Sequence, residues 1–112
     1  MSLLFETVKA LREARRLIKK GWSRKAYARD RWRHPVDSSS KRAVCFCATG
    51  AINRATWGKN FSITEQAETQ IKNVISSNGF HNIVDWNDAM GRTKQEVVRA
   101  FTKAIQTLEA IG

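Results

Sequence analysis

The sequence of 112 residues predicts an all-α fold: a compact bundle of about four helices with a structured loop at 80–92, in one domain spanning 1–112. Three observations predict it. Four segments repeat apolar residues at three- and four-residue spacing, each is bounded by helix-capping or helix-stopping residues, and hydrophobic residues make up 42% of the chain. A chain of this length buries about 65% of the surface its unfolded form exposes, so one core is expected.

The first helix is predicted over Leu3 to Lys20, where Leu4, Val8, Leu11, Ala14 and Ile18 recur on one face. Gly21 suits a left-handed C-cap. Residues Trp22 to His34 show no clean period, and Pro35 disfavours helix at His34, so this stretch is expected to form a loop or short turns. A second helix is predicted to open in the Asp37 to Ser40 cluster and run to about Trp57, packing Val44, Cys47 or Ala48, Ala51, Ile52 and Ala55. Gly50 inside it implies close approach of a neighbouring helix backbone, which places this helix centrally. The third is predicted from Ser62, with Ser62 and Glu65 as a capping box and Ile63, Ala67, Ile71, Val74 and Ile75 inward, until Asn78 and Gly79 stop it. The fourth repeats the device with Thr93 and Glu96, burying Val97, Phe101, Ala104, Ile105, Leu108 and Ile111. Between the last two, Ile83, Val84 and Trp86 are expected to form one buried turn.

Charge divides the chain. The net charge is +10, but residues 1–60 carry fifteen Lys and Arg against four acids, while residues 61–112 carry five against six. The density peaks between Lys9 and Arg33, with eleven cations and only Glu13 and Asp30 opposing them. On the first helix Lys9, Arg12, Arg16 and Lys19 form a stripe about 15 Å long opposite the apolar face, and Arg24, Lys25, Arg29, Arg31 and Arg33 follow in the loop. A field this lopsided attracts polyanions. The competing reading is a solvated face that keeps a small protein soluble.

Chemical centres are not indicated. Cys45 and Cys47 with His34 and His81 resemble a zinc set in composition, but two residues apart on a helix the cysteines point away from each other, so no metal site and no disulfide are expected. Reduced thiols agree with a cytoplasmic location, as do the absence of an apolar run near ~20 residues and of a secretory signal. His81 and Asp85 stand four apart, a spacing that suits an oriented imidazole, yet no second acid, Gly-rich loop or activated hydroxyl accompanies them. No catalytic residue, cofactor, small-molecule substrate or membrane contact is assigned. The densest polar cluster, Trp86, Asn87, Asp88, Arg92, Thr93 and Glu96, is expected to be structural. Asp88 would pair Arg92 or accept loop amides, Asn87 would bond backbone, and Trp86 would anchor the loop.

These residues carry a resemblance. Asp85-Trp86-Asn87-Asp88 followed by Gly91-Arg92-Thr93, with Gly21-Trp22, Ala26-Tyr27-Ala28-Arg29-Asp30 and Cys47-Ala48-Thr49-Gly50-Ala51 before it, resembles an uncharacterised family of small bacterial and phage-encoded proteins. The resemblance implies a small helical domain in a phage or bacterial setting and brings no activity with it.

Two functions follow as expectations. The first is a nucleic-acid-binding accessory protein whose 9–33 cationic surface contacts phosphates, with Trp22, Tyr27 or Trp32 available to stack on bases. The second is an inhibitor or regulator that sets the same basic face against an acidic surface of a host or defence complex.

Overall fold

The computed structural model describes residues 2–112. Its elements are α1 (Leu3–Lys20), β1 (Ala28–Arg29), β2 (Pro35–Val36), β3 (Cys45–Phe46), α2 (Ala48–Ala55), α3 (Phe61–Ile75), a 3-10 turn (Ser76–Asn78), α4 (Ile83–Asp88) and α5 (Lys94–Ile111). The radius of gyration, 13.1 Å, is that of a compact globule of this length. The fold is mostly helical, with three short strands that the all-α expectation missed. They form one antiparallel sheet in the order β2-β1-β3, with Ala28 opposite Val36 on one side and Phe46 on the other.

α1 forms where periodicity predicts it. Ser2 caps it by accepting from Phe5 N, and Thr7, Ala10, Leu11, Ala14 and Ile18 are buried along one face. α1 is also the central element, packing against α2, α3, α5 and β3, whereas the sequence placed the second helix there. The reason is length: α1 offers five turns of apolar stripe and α2 little more than two.

Gly21 departs from its expected role. Its φ of −168° is extended, and a Cβ built there would lie 2.5 Å from the Val44 carbonyl oxygen. The glycine lets β3 approach, with Phe46 N donating to Gly21 O and Ser23 N to Phe46 O.

The second helix is capped at Cys47, seven to ten residues later than the Asp37–Ser40 cluster suggested. Asp37 Oδ1 instead accepts from the backbone N–H and hydroxyl of Ser39, closing a local turn. Val44, Cys45 and Phe46 run extended beside β1, and Cys47 caps α2 with its sulfur accepting from Gly50 N. Val44, expected in the core, is therefore 47% exposed. Gly50 does mark a close approach, although the neighbour is no helix: a Cβ would lie 1.9 Å from the Tyr27 carbonyl oxygen, just ahead of β1. The start of α3 also differs. Asn60 caps it by accepting from Ser62 N, so Ser62 is a first-turn residue and makes no capping box with Glu65. α5 has the reciprocal Thr93–Glu96 box, in which burial runs from Val97 to Leu108 and Ile111 is left exposed. No helix among the described residues is long and apolar enough to cross a membrane.

Candidate nucleic-acid interface

The stretch from Asp30 to His34 turns β1 back into β2. Asp30 is 6% exposed, and its Oδ1 accepts from Trp32 N and His34 N, each at 2.9 Å. Asp30 N donates to His34 O and Arg33 N to Asp30 O, closing the hairpin. The Arg29 guanidinium braces it from behind, donating to Arg33 O at 2.8 Å and Arg24 O at 3.0 Å. Arg33 adopts a φ of +71°, a left-handed conformation that costs a non-glycine residue ~1–2 kcal/mol. The arrangement holds three side chains in water: Arg31, Trp32 and Arg33 are all exposed, Trp32 by 62%. The Arg31 guanidinium lies 4.3 Å from the Trp32 ring centroid, a cation–π contact on one face of the indole.

Further exposed cations lie in the loops beside the strands. β3 runs antiparallel to β1 with Cys45 opposite Arg29, and Val44 N donates to Arg29 O. The exposed Lys41 and Arg42 lie in the turn that leads into β3, where Ala43 N donates to Ser40 O. Sequence reading missed both, because it placed them inside a helix. Lys25 is exposed as well, with a φ of +63° and its backbone N–H held by Asp88 Oδ1.

The remaining predicted cations divide by what they touch. Arg24 donates to the Asp88 and Ala89 carbonyl oxygens, and Arg29 is committed to the hairpin, so neither guanidinium is free for a partner. On α1 the stripe of Lys9, Arg12, Arg16 and Lys19 is exposed along its length, yet half of it is neutralised. Arg12 pairs with Glu109 of α5, and Arg16 forms a bidentate pair with Glu13 at 2.6 and 2.8 Å. The hydrogen bond from Arg16, with burial opposing it, holds the Glu13 carboxyl below its ordinary pKa. Lys9 and Lys19 have no acidic partner among the described residues, and neither do Lys25, Arg31 and Arg33.

The polar cluster at 86–96 has a different geometry. Asn87 is wholly buried, and its Oδ1 accepts from Trp22 Nε1 at 2.9 Å and from Ala48 N at 3.0 Å. Its Nδ2 donates to Ser23 O at 3.1 Å and Asp88 Oδ1 at 3.0 Å. One amide thus joins the end of α1, the start of α2 and α4. Trp86 is 2% exposed, and the Arg92 guanidinium lies 4.5 Å from its ring centroid while donating to Trp86 O. Arg92 pairs with Glu96 at 3.6 Å and not with Asp88, which accepts the Lys25 amide instead. Of the three aromatics offered for stacking, Trp22 is engaged by Asn87, while Tyr27 and Trp32 are exposed.

Two clefts meet at Tyr27 and Asp37. One, of about 600 Å³, has Cys47, Lys25 and Asp88 in its lining. The other, of about 450 Å³, lies among Tyr27, Trp57, Phe61 and Asn53. Cys45 sits on β3 and Cys47 caps α2, so the helical-spacing argument does not apply to the pair, and both are free thiols. Burial raises the Cys47 thiol pKa, which keeps it protonated and poorly nucleophilic. His34 stands at the hairpin tip with Nδ1 3.7 Å from Asp30 Oδ2, and His81 lies just before α4 with no hydrogen bond to Asp85 among the described residues, Asp85 N instead being held by Asn82.

No curated protein and no solved structure matches the chain. A family model does match, over residues 6–107, and by it the chain belongs to DUF6197, a family of unknown function.

Proposed function

For this member of a family of unknown function, we propose nucleic-acid binding through the cationic end of the sheet. The observation that carries the reading is the hairpin tip, where Arg31 and Arg33 flank an exposed Trp32 without any acidic partner among the described residues. Unpaired cations release counterions from a phosphate backbone on binding, whereas guanidiniums already paired with carboxylates contribute little. The tip therefore forms the principal contact, and the exposed Lys25, Lys41, Arg42, Lys9 and Lys19 are the cations that can add to it. The motif resemblance supports a bacterial or phage setting, and the two reduced thiols support a cytoplasmic one.

The test is affinity for a labelled oligonucleotide across a salt series. Wild-type protein is expected to bind at ~50 mM salt, with log affinity falling linearly against log salt. Arg31→Glu with Arg33→Glu should weaken binding more than tenfold and flatten the slope, whereas Arg12→Gln with Arg16→Gln should change affinity less than threefold. No binding at low salt, or a larger loss from the α1 pair than from the tip pair, overturns the reading. Binding to an acidic protein surface would leave the oligonucleotide unbound, which also overturns it.

A further inference from the structure

A phosphate contact needs only flexible Lys and Arg side chains on a solvated surface, and the tip goes beyond that requirement. A carboxylate is buried to fix the backbone on either side of Trp32, a non-glycine residue is held at positive φ, and Arg29 closes the turn from beneath. The positive φ at Arg33 is unfavourable for folding, and the hydrogen bonds of Asp30 and Arg29 are what hold it in place. Together they hold an indole in water, where a large apolar side chain gains nothing from burial. The usual return for such an arrangement is a preorganised contact surface, because a ring fixed in advance loses little entropy when a partner covers it.

Arg31 lies over the Trp32 ring, and the side chain as a whole stays 62% exposed. Arg31 and Arg33, its neighbours in the chain, are exposed cations, so the fitting partner is a planar π-system joined to anionic groups. An unpaired nucleobase on its phosphate chain has that chemistry. In a duplex the base faces are stacked on each other and present only edges in the grooves, which a single indole does not read. We infer that Trp32 stacks on an unpaired base, so that the protein selects single strands, loops or frayed ends over duplex. The inference rests on the proposed function and sharpens its substrate class.

The experiment compares four labelled probes of equal length at one low salt concentration: oligothymidylate, oligouridylate, an abasic phosphodeoxyribose strand, and a blunt DNA duplex. The proteins are wild type, Trp32→Ala, Trp32→Phe and, as a control, Trp57→Ala, whose indole is the other highly exposed one. Wild type should bind the base-bearing strands about tenfold more tightly than the abasic strand. Trp32→Ala should lose that preference with its salt slope unchanged, Trp32→Phe should keep part of it, and Trp57→Ala should keep all of it. The ratio of thymidylate to uridylate affinity separates a DNA ligand from an RNA one, and either satisfies the inference. Equal affinity for base-bearing and abasic strands, tighter binding to duplex, or loss of preference in Trp57→Ala alone overturns it while leaving the charge reading intact. Failure of every probe to bind overturns both. Thermal unfolding of each variant shows that the fold is retained, since Trp32 makes no side-chain hydrogen bond among the described residues.

Discussion

The Asn87 cluster and the Asp30 hairpin use the same chemistry to opposite ends. In each, one buried polar side chain accepts from the backbone: Asp30 takes Trp32 N and His34 N and fixes a turn, and Asn87 takes Ala48 N at the start of α2. Asn87 turns its remaining capacity inward, tying Trp22, Ser23 and Asp88 together. Asp30 leaves its neighbours Arg31, Trp32 and Arg33 in solvent. The difference teaches that polar density alone does not mark a site. What separates scaffold from contact surface is whether the side chains around the fixed turn find partners within the chain.

The comparison can be broken by mutation, and the largest effect should come from the inward cluster. Asn87→Ala leaves Trp22 Nε1, Ala48 N and Ser23 O without their partner, and should lower stability by about 3 kcal/mol or more in denaturant unfolding. That corresponds to a fall in Tm of roughly 10–20 °C. Gly50→Ala comes next. Its Cβ would meet the Tyr27 carbonyl, so α2 and the base of the hairpin must separate, at a cost of about 2 kcal/mol. If that variant melts like wild type, the contact between α2 and the hairpin base is not as close as described. Asp30→Ala should cost ~1–2 kcal/mol and, by freeing the tip, weaken oligonucleotide binding although no charge on the contact surface is lost. Trp32→Ala should shift stability by less than about 0.5 kcal/mol, because the ring is mostly in water. A large loss of stability there would make the tip a scaffold like Asn87.

Thiol chemistry offers a finer contrast. Cys47 has its pKa raised by burial, so its neutral form is favoured by folding. That contribution is complete below the ordinary thiol range and is lost as pH rises through the raised value. Alkylation at neutral pH should therefore modify the half-buried Cys45 first and reach Cys47 at the rate of unfolding. Equal labelling rates in folded protein would contradict the described burial.

The helices were legible where their signals were local. α1, α3 and α5 follow from apolar spacing, and the Thr93–Glu96 box follows from two residues three apart. The strands were not, because each is two residues long and is specified by pairing across the sheet, out of reach of any window of sequence. Asp37 to Ser40 carries the composition of a helix cap, but Asp37 bonds Ser39 and Arg54 takes the Ser38 and Ser40 carbonyls, which settles the segment as a turn. The candidate site was half legible. Its cations and Trp32 stand out in composition. The partners that remove Arg12, Arg24 and Arg29 from it lie elsewhere in the chain or are backbone carbonyls, and charge patterning registers neither.

Mapping amide and indole N–H chemical shifts of labelled protein against a short single-stranded oligonucleotide distinguishes contact at the hairpin tip from contact along the α1 stripe. Movement of the Trp32 indole and of amides 30–34 is expected, with the Trp22 and Trp86 indoles unmoved. Shifts confined to Lys9 through Lys19, or an unchanged spectrum at low salt, would contradict contact at the tip.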